Sequence, residues 1–113
     1  MAINSNTQKK IQELQSHEQV LQNILMQKQT LQIELNETNN ALTELSNYNG
    51  EVFKILGGIM IKSDSEKIKK ELNEGKKNLD MHINALDKQE KDISSKAIKL
   101  REEITSSINA QKK

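Results

Sequence analysis

Apolar residues recur every seven positions in two long stretches of this chain. In the first stretch the repeat runs from Leu14 to Leu42, and in the second from Leu72 to Leu100. A second set of positions lies three or four residues from the first in each stretch, as a coiled-coil seam requires. We therefore expect two coiled-coil helices, over about residues 8–46 and 63–108.

The two repeats are arranged as mirror images along the chain. The position numbers of Leu14 and Leu100 add to 114, and every further pair taken inward along the two repeats gives the same total. In an antiparallel coiled coil an a residue of one helix layers against a d residue of the other, so a constant total indicates that the chain folds back on itself. The midpoint of the pairs falls at Gly57. We interpret the polar residues within the seam as groups that fix its register; they are Lys28, Thr38, Lys76 and Glu90.

The segment between the helices predicts a β-hairpin over residues 51–62. Two β-branched and aliphatic runs flank Gly57-Gly58, and a Gly-Gly pair suits the two-residue turn of a hairpin. A buried helical turn is the alternative for so short an apolar segment. Asn47 to Gly50 is expected to end the first helix.

The capping-box motif predicts how each helix begins. Ser5 with Gln8 and Ser63 with Glu66 have the spacing in which two side chains satisfy free backbone N–H groups reciprocally. We therefore expect Ser5, Asn6 or Thr7 to cap the first helix and Ser63 to cap the second.

Composition supports an extended coiled coil over an ordinary globular core. The chain has 113 residues, of which 34% are hydrophobic and 29% charged, with a net charge of +1 and no cysteine. We interpret residues 1–113 as a single domain, mainly α, in which an antiparallel two-helix coiled coil is joined by one β-hairpin. Disorder of the whole chain is the alternative, which the sustained heptads oppose. No signal peptide or membrane span is recognised, so a cytoplasmic protein with no membrane contact is expected.

No group of residues in the sequence suggests catalysis or cofactor binding. His17 and His82 lie on different helices, and the pairing rule keeps them apart, so no metal site is expected. The lysines of residues 67–77 are interleaved with Glu66, Glu71 and Glu74, which disfavours a nucleic-acid surface. We expect neither an enzyme nor a cofactor.

The predicted hairpin is too apolar to stand alone. An isolated two-stranded hairpin is marginally stable, and exposed edges and apolar faces invite further pairing. We expect hairpins of several subunits to join into a β-barrel body, which makes the protein an obligate oligomer; a local cap over the helix ends is the alternative. The predicted oligomerisation residues are Val52, Phe53, Ile55, Leu56, Gly57, Gly58, Ile59, Met60 and Ile61.

The stretch Val52-Phe53-Lys54-Ile55-Leu56-Gly57-Gly58-Ile59-Met60-Ile61-Lys62 resembles the β class of the prefoldin family of chaperones. The shared pattern is an aromatic residue and Lys, a Gly at the turn, an aliphatic strand and a closing Lys. Phe53 stands where Tyr is common in the family, and Gly58 is an additional glycine. The runs 27–29, 35–38 and 86–90 are also similar to β-class helices. α-class subunits carry two hairpins, whereas the spacing here allows one.

The resemblance implies a hexamer of two α-type and four β-type subunits, with a double β-barrel body and six coiled-coil arms. The arm tips would bind non-native polypeptides and deliver them to a group II chaperonin without ATP. Client-binding candidates are apolar residues towards the termini, namely Ile3, Ile11, Leu14, Ile98, Ile104 and Ile108. An oligomeric coiled-coil adaptor that docks one specific partner remains the alternative function.

Overall fold

The structure, a computed structural model, describes residues 4–48 and 50–111. Helix α1 spans Ser5–Ser46, strands β1 and β2 span Val52–Leu56 and Ile59–Ser63, and helix α2 spans Ser65–Gln111. The predicted fold class of two long helices around one antiparallel hairpin is confirmed. Helix α1 begins three residues earlier than predicted, and α2 continues three residues further.

The cap of α1 is Asn4, so the prediction of Ser5, Asn6 or Thr7 as the capping residue is wrong. The Asn4 Oδ1 atom accepts a hydrogen bond from the backbone N–H of Thr7 at 2.8 Å. Since Ser5 is already the first helical residue, the side chain in front of it reaches the free N–H groups of the first turn. Thr7 is 1% exposed, so this cap closes a packed end of the helix.

The cap of α2 is likewise one residue away from the predicted Ser63. Ser63 is the last residue of β2, where it pairs with Val52. Asp64 follows it, and the Asp64 Oδ1 atom accepts a hydrogen bond from the backbone N–H of Glu66 at 3.3 Å. The Asp64 carboxylate also lies at the positive end of the helix dipole, which favours an acid over a serine at this position.

Helix α1 ends where the sequence predicts. The backbone N–H of Asn47 bonds to the carbonyl of Glu44, and that of Tyr48 bonds to the carbonyl of Leu45. Gly50 follows in close contact with the Tyr48 ring, whose hydroxyl occupies the place of any Cβ at position 50. Asn49, part of the predicted helix stop, lies outside the described residues.

The described residues divide into two compact units. The first comprises residues 4–28 with 85–111, and the second comprises residues 29–48 with 50–84. In the first unit Ile24, Leu86, Ala97 and Leu100 are 2% to 8% exposed, and all four occupy predicted seam positions. Its helices are antiparallel, because Lys10 contacts Glu103 while Lys28 contacts Asp87.

The seam of the second unit is less deeply buried. Its heptad positions on α1 run from Leu31 to Leu42, and those on α2 run from Leu72 to Ile83. Every one of them is half-buried, and none reaches full burial. The predicted a and d positions are therefore the least exposed face of both helices, with the best-packed core in the first unit.

The two strands pair as a regular antiparallel hairpin. The register places Phe53 opposite Lys62, Ile55 opposite Met60 and Leu56 opposite Ile59. The turn is Gly57-Gly58, with φ angles of 55° and 81°. Positive φ at both central residues is the type I′ turn, which matches the twist of the flanking strands. The predicted β-hairpin is confirmed, and the helical-turn alternative is wrong.

Two glycines of the chain are expected to respond in opposite ways to alanine. Gly58→Ala should lower the free energy of unfolding by about 1–2 kcal/mol, because an L residue is strained at positive φ. Gly75→Ala should raise it by about 1 kcal/mol, because Gly75 lies inside α2 with open space around its Cβ position. Urea denaturation followed by circular dichroism measures both changes. Equal effects at the two positions would contradict the assigned turn.

Candidate functional site

The hairpin carries a large exposed apolar surface. Six of its side chains are between 46% and 68% exposed, and they are Phe53, Ile55, Leu56, Ile59, Met60 and Ile61. Val52 is half-buried, and Gly57 and Gly58 lie exposed at the turn. Contiguous apolar patches on this scale usually mark an interaction surface.

The alternation of side chains along the strands divides this surface into two faces. Phe53 and Ile55 share one face with their cross-strand partners Lys62 and Met60, and we call this the Phe53 face. The opposite face, which we call the Lys54 face, carries Val52, Lys54, Leu56, Ile59, Ile61 and Ser63. Each face combines apolar side chains with one lysine.

Two cavities lie beside Phe53 in the same unit. One, of about 540 Å³, is bounded by Leu45, Val52 and Phe53 together with Ile68 and Leu72 of α2. The other, of about 420 Å³, is bounded by Leu45, Val52 and Phe53 together with Tyr48 and Met60. Their walls are mainly apolar and they are open to solvent, so they offer apolar surface to a partner side chain.

An ion pair joins the Lys54 face to α2. The Lys54 Nζ atom lies 2.9 Å from Glu71 Oε2, a contact between residues that are seventeen positions apart. The hydrogen bond from Lys54 holds the pKa of the Glu71 carboxyl below its ordinary value of 4.5. A second pair, Lys62 with Glu51 at 3.0 Å, lies at the open end of the strands.

The Lys54–Glu71 contact should weaken in acid. The pKa of Glu71 is lower in the folded than in the unfolded chain. The contact therefore contributes to stability above the unfolded pKa of about 4.5, and this contribution is lost as the pH falls through the folded pKa. In a Lys54→Met variant the pKa of Glu71 should rise towards 4.5, as measured from its carboxyl carbon by NMR. Lys62→Met is the control and should leave that pKa lowered. A Glu71 pKa that is unchanged by Lys54→Met would contradict the assignment.

The predicted client residues fall into different environments in the first unit. Ile98 is 51% exposed, whereas Ile104 is 9% exposed and belongs to the packed seam. Ile11, Leu14 and Ile108 are half-buried. Ile3 lies outside the described residues.

The burial of Ile104 could have been found from the sequence. It lies seven residues after Ala97, on the same heptad positions as Ile83 and Glu90, and Leu14 is likewise a seam position. Both residues therefore contribute first to helix pairing. Ile11, Ile98 and Ile108 lie off the seam; Ile98 is exposed, and Ile11 and Ile108 are half-buried.

Ile11 and Ile108 lie on the same side of the coiled coil. Glu18 of α1 and Arg101 of α2 meet on one side of the coiled coil, where Arg101 Nη2 is 3.1 Å from Glu18 Oε1. Ile11 is one heptad before Glu18, and Ile108 is one heptad after Arg101, so the repeat puts the two isoleucines on the same side nearer the termini. Leu25, one heptad after Glu18, is 50% exposed there and was missing from the predicted client set.

The seam of the first unit contains a lysine that is paired with two acidic side chains. Lys28 Nζ lies 2.6 Å from Asp87 Oδ1 and 3.2 Å from Glu90 Oε2. Its hydrogen bonds, first to Asp87 and then to Glu90, raise the pKa of Lys28 above its ordinary value of 10.5. A lysine at an a position is compatible with only those registers that supply it with acids, which supports the interpretation of Lys28 as a register-fixing residue.

Neither a group of metal-ligand side chains nor a membrane-spanning helix is present in the described part of the chain. Within residues 4–48 and 50–111, no three His, Cys, Asp or Glu side chains are grouped as metal ligands would be. Over the same residues neither helix has a stretch long and apolar enough to cross a membrane. His17 lies in the first unit, 3.8 Å from Glu13, and His82 lies in the second.

Known proteins match this arrangement over nearly its whole length. The profile of the prefoldin subunit family matches residues 8–111. The prefoldin subunit beta of Pyrococcus abyssi is 35% identical over 98 residues, covering 85% of this chain and 84% of the relative. That of Thermococcus kodakarensis is also 35% identical, with the same coverage.

A solved structure matches as well. The crystal structure of the prefoldin beta subunit from Thermococcus strain KS-1 superposes with a TM-score of 0.86 at 33% identity, covering 94% of this chain and 95% of that one. The sequence resemblance to the β class is thereby confirmed. The chain belongs to the prefoldin subunit family.

Proposed function

We propose that this chain is a subunit of an ATP-independent holdase chaperone. Its family is one of chaperone subunits, which gives the general role. In the proposed complex four copies assemble with two α-type subunits, and the hairpins form a shared β-barrel body. The coiled coils bind non-native polypeptides near the chain termini and deliver them to a group II chaperonin in the cytoplasm.

The observation that carries the proposal is the exposure of the hairpin. Six large apolar side chains at 46% to 68% exposure are a surface that a subunit covers on assembly. Both outer edges of the two-stranded sheet also have free hydrogen-bonding groups, because within residues 4–48 and 50–111 β1 and β2 pair only with each other. Closure of several hairpins into a barrel pairs the edges and buries the apolar face that is turned inward.

The proposed client surface lies in the other unit of the chain. Exposed Ile98 and half-buried Ile11 and Ile108 present apolar surface off the seam of this unit. Attraction to exposed apolar parts of a client is non-directional and amounts to about 25 cal/mol per Å² buried, so one contact is weak. Six arms that act on one client raise the overall affinity through effective concentration.

A panel of unrelated unfolded proteins tests this function. The complex with an α-type subunit should suppress the aggregation of each protein in the absence of nucleotide, as followed by light scattering. An adaptor for one specific partner, the alternative function, should leave all of them to aggregate. That second result would overturn the proposed chaperone function while leaving the family assignment intact.

A further inference from the structure

Glu44 is an acidic residue beside the apolar surface of the hairpin. It lies near the end of α1 and borders both cavities next to Phe53. In the described part of the chain its carboxylate takes part in no ion pair within 4.0 Å, whereas Glu51 and Glu71 each bind a lysine. A carboxylate at the rim of an apolar cavity favours a partner that brings a cation.

The same chain carries a matching cation on the Phe53 face. Lys62 lies directly opposite Phe53 on the neighbouring strand, and its side chain is 68% exposed. Its ammonium group contacts Glu51 at 3.0 Å, but a lysine has three donors and can bind a second carboxylate. Each copy therefore has a free acid and an available cation at the border of one apolar face.

We propose that the Phe53 face of the hairpin docks against the Phe53 face of a second copy, with Lys62 of each copy bound to Glu44 of the other. In a two-fold contact the residue pairs occur twice, so a face with both members of a pair at its border is complementary to itself. Phe53, Ile55 and Met60 supply the apolar centre, and the cavities beside Phe53 can receive the apposed side chains. Two Glu44–Lys62 pairs flank this centre.

This inference rests on the proposed assembly, because a contact between two small hairpins is too limited to hold a dimer by itself. Stable interfaces bury roughly 1,200–2,000 Å² in total, and two five-residue strands supply only part of that area. Within a complex that holds several copies, the contact selects how two of them are arranged. The partner of this face is thus another copy of the same chain.

Cysteine cross-linking tests the arrangement, because the natural chain contains no cysteine. Full-length Glu44→Cys and Lys62→Cys chains, distinguished by a tag, are mixed, assembled with an α-type subunit and treated with a short bismaleimide. A cross-linked dimer with one chain of each kind is expected. Glu37→Cys mixed with Lys62→Cys is the matched control, since Glu37 lies one heptad before Glu44 on α1, and it should give at least tenfold less product.

The outcomes separate this inference from the proposed function. Equal cross-linking by the Glu37 and Glu44 variants, or none by Glu44→Cys in a complex that assembles, would overturn the docking and leave the chaperone proposal standing. Failure of the unmodified chain to assemble at all would overturn both.

Charge reversal provides an independent measurement on the same complex. Glu44→Lys places two cations together and should raise the concentration of half-dissociation by about tenfold. The double variant Glu44→Lys with Lys62→Glu restores the pairs with exchanged signs and should return to within about threefold of the original value. A Glu44→Lys complex as stable as the unmodified one would contradict the Glu44–Lys62 pairing.

Discussion

A triple variant should lose most of the protection that the assembled complex gives to unfolded clients. Its substitutions are Ile11→Ser, Ile98→Ser and Ile108→Ser. Ile98 is 51% exposed, and Ile11 and Ile108 are half-buried off the seam of the first unit, so their replacement removes apolar surface that a client can contact. Because several arms bind one client, a small loss at each arm is multiplied through avidity. We expect at least tenfold more complex to be needed for half-maximal suppression of aggregation, measured by light scattering.

The matched control uses exposed apolar residues of the second unit. Ile33 and Met81 are 59% and 69% exposed, so Ile33→Ser with Met81→Ser removes comparable surface elsewhere. This control should protect clients as well as the unmodified complex. If both variants lose protection equally, apolar surface anywhere on the coiled coil suffices and the assignment to Ile11, Ile98 and Ile108 is wrong.

A second triple variant should fail to assemble while its helices stay folded. Its substitutions are Phe53→Thr, Ile55→Thr and Met60→Thr. Threonine keeps the preference for a strand but removes most of the apolar surface of the Phe53 face. Burial of such side chains stabilises an interface by about 1.5–3 kcal/mol each, so a combined loss of about 4 kcal/mol is a conservative expectation. That loss weakens assembly about a thousandfold.

Sedimentation and circular dichroism together measure this effect. Mixed with an α-type subunit, the variant should sediment as a monomer at concentrations where the unmodified chain is assembled with that partner, and its own helical signal should be retained. Ile33→Thr with Met81→Thr should assemble normally, because those residues lie on the helices away from the strands. A hairpin variant that assembles as tightly as the unmodified chain would show that the hairpin is not the assembly site.

The sequence predicted the elements of this fold wherever a repeat or a turn constrained them. The heptads identified the seam because burial in a coiled coil follows a and d positions, as Ile24 and Leu100 show. Gly57-Gly58 identified the hairpin because both glycines adopt positive φ.

The caps could not be predicted to the residue. Asn4 and Ser5 are both good capping residues in adjacent positions, and so are Ser63 and Asp64. The capping residue is the one directly before the first residue with helical backbone angles. The position of that first residue depends on the path of the preceding segment, which the sequence pattern does not specify. The predicted β2 ended one residue early for the same reason, since Ser63 was assigned to the helix and belongs to the strand.

The client residues were predicted only in outline. A list of apolar residues near the termini does not separate those that pack in the seam from those that face solvent, and Ile104 and Ile98 fall on opposite sides of that division. Extending the heptad positions from Ala97 would have placed Ile104 in the seam. The degree of exposure of Ile11 and Ile108 beside the seam depends on side-chain packing, which no sequence pattern specifies.

Native mass spectrometry of the chain mixed with an α-type subunit tests the central claim most directly, because it counts the copies in the complex. The proposed assembly predicts one dominant species with the mass of four copies of this chain and two of the partner. The same mixture with threonine at positions 53, 55 and 60 should show separate subunits. A stable, folded monomer of the unmodified chain in the presence of the partner would contradict the claim that its hairpin builds a chaperone.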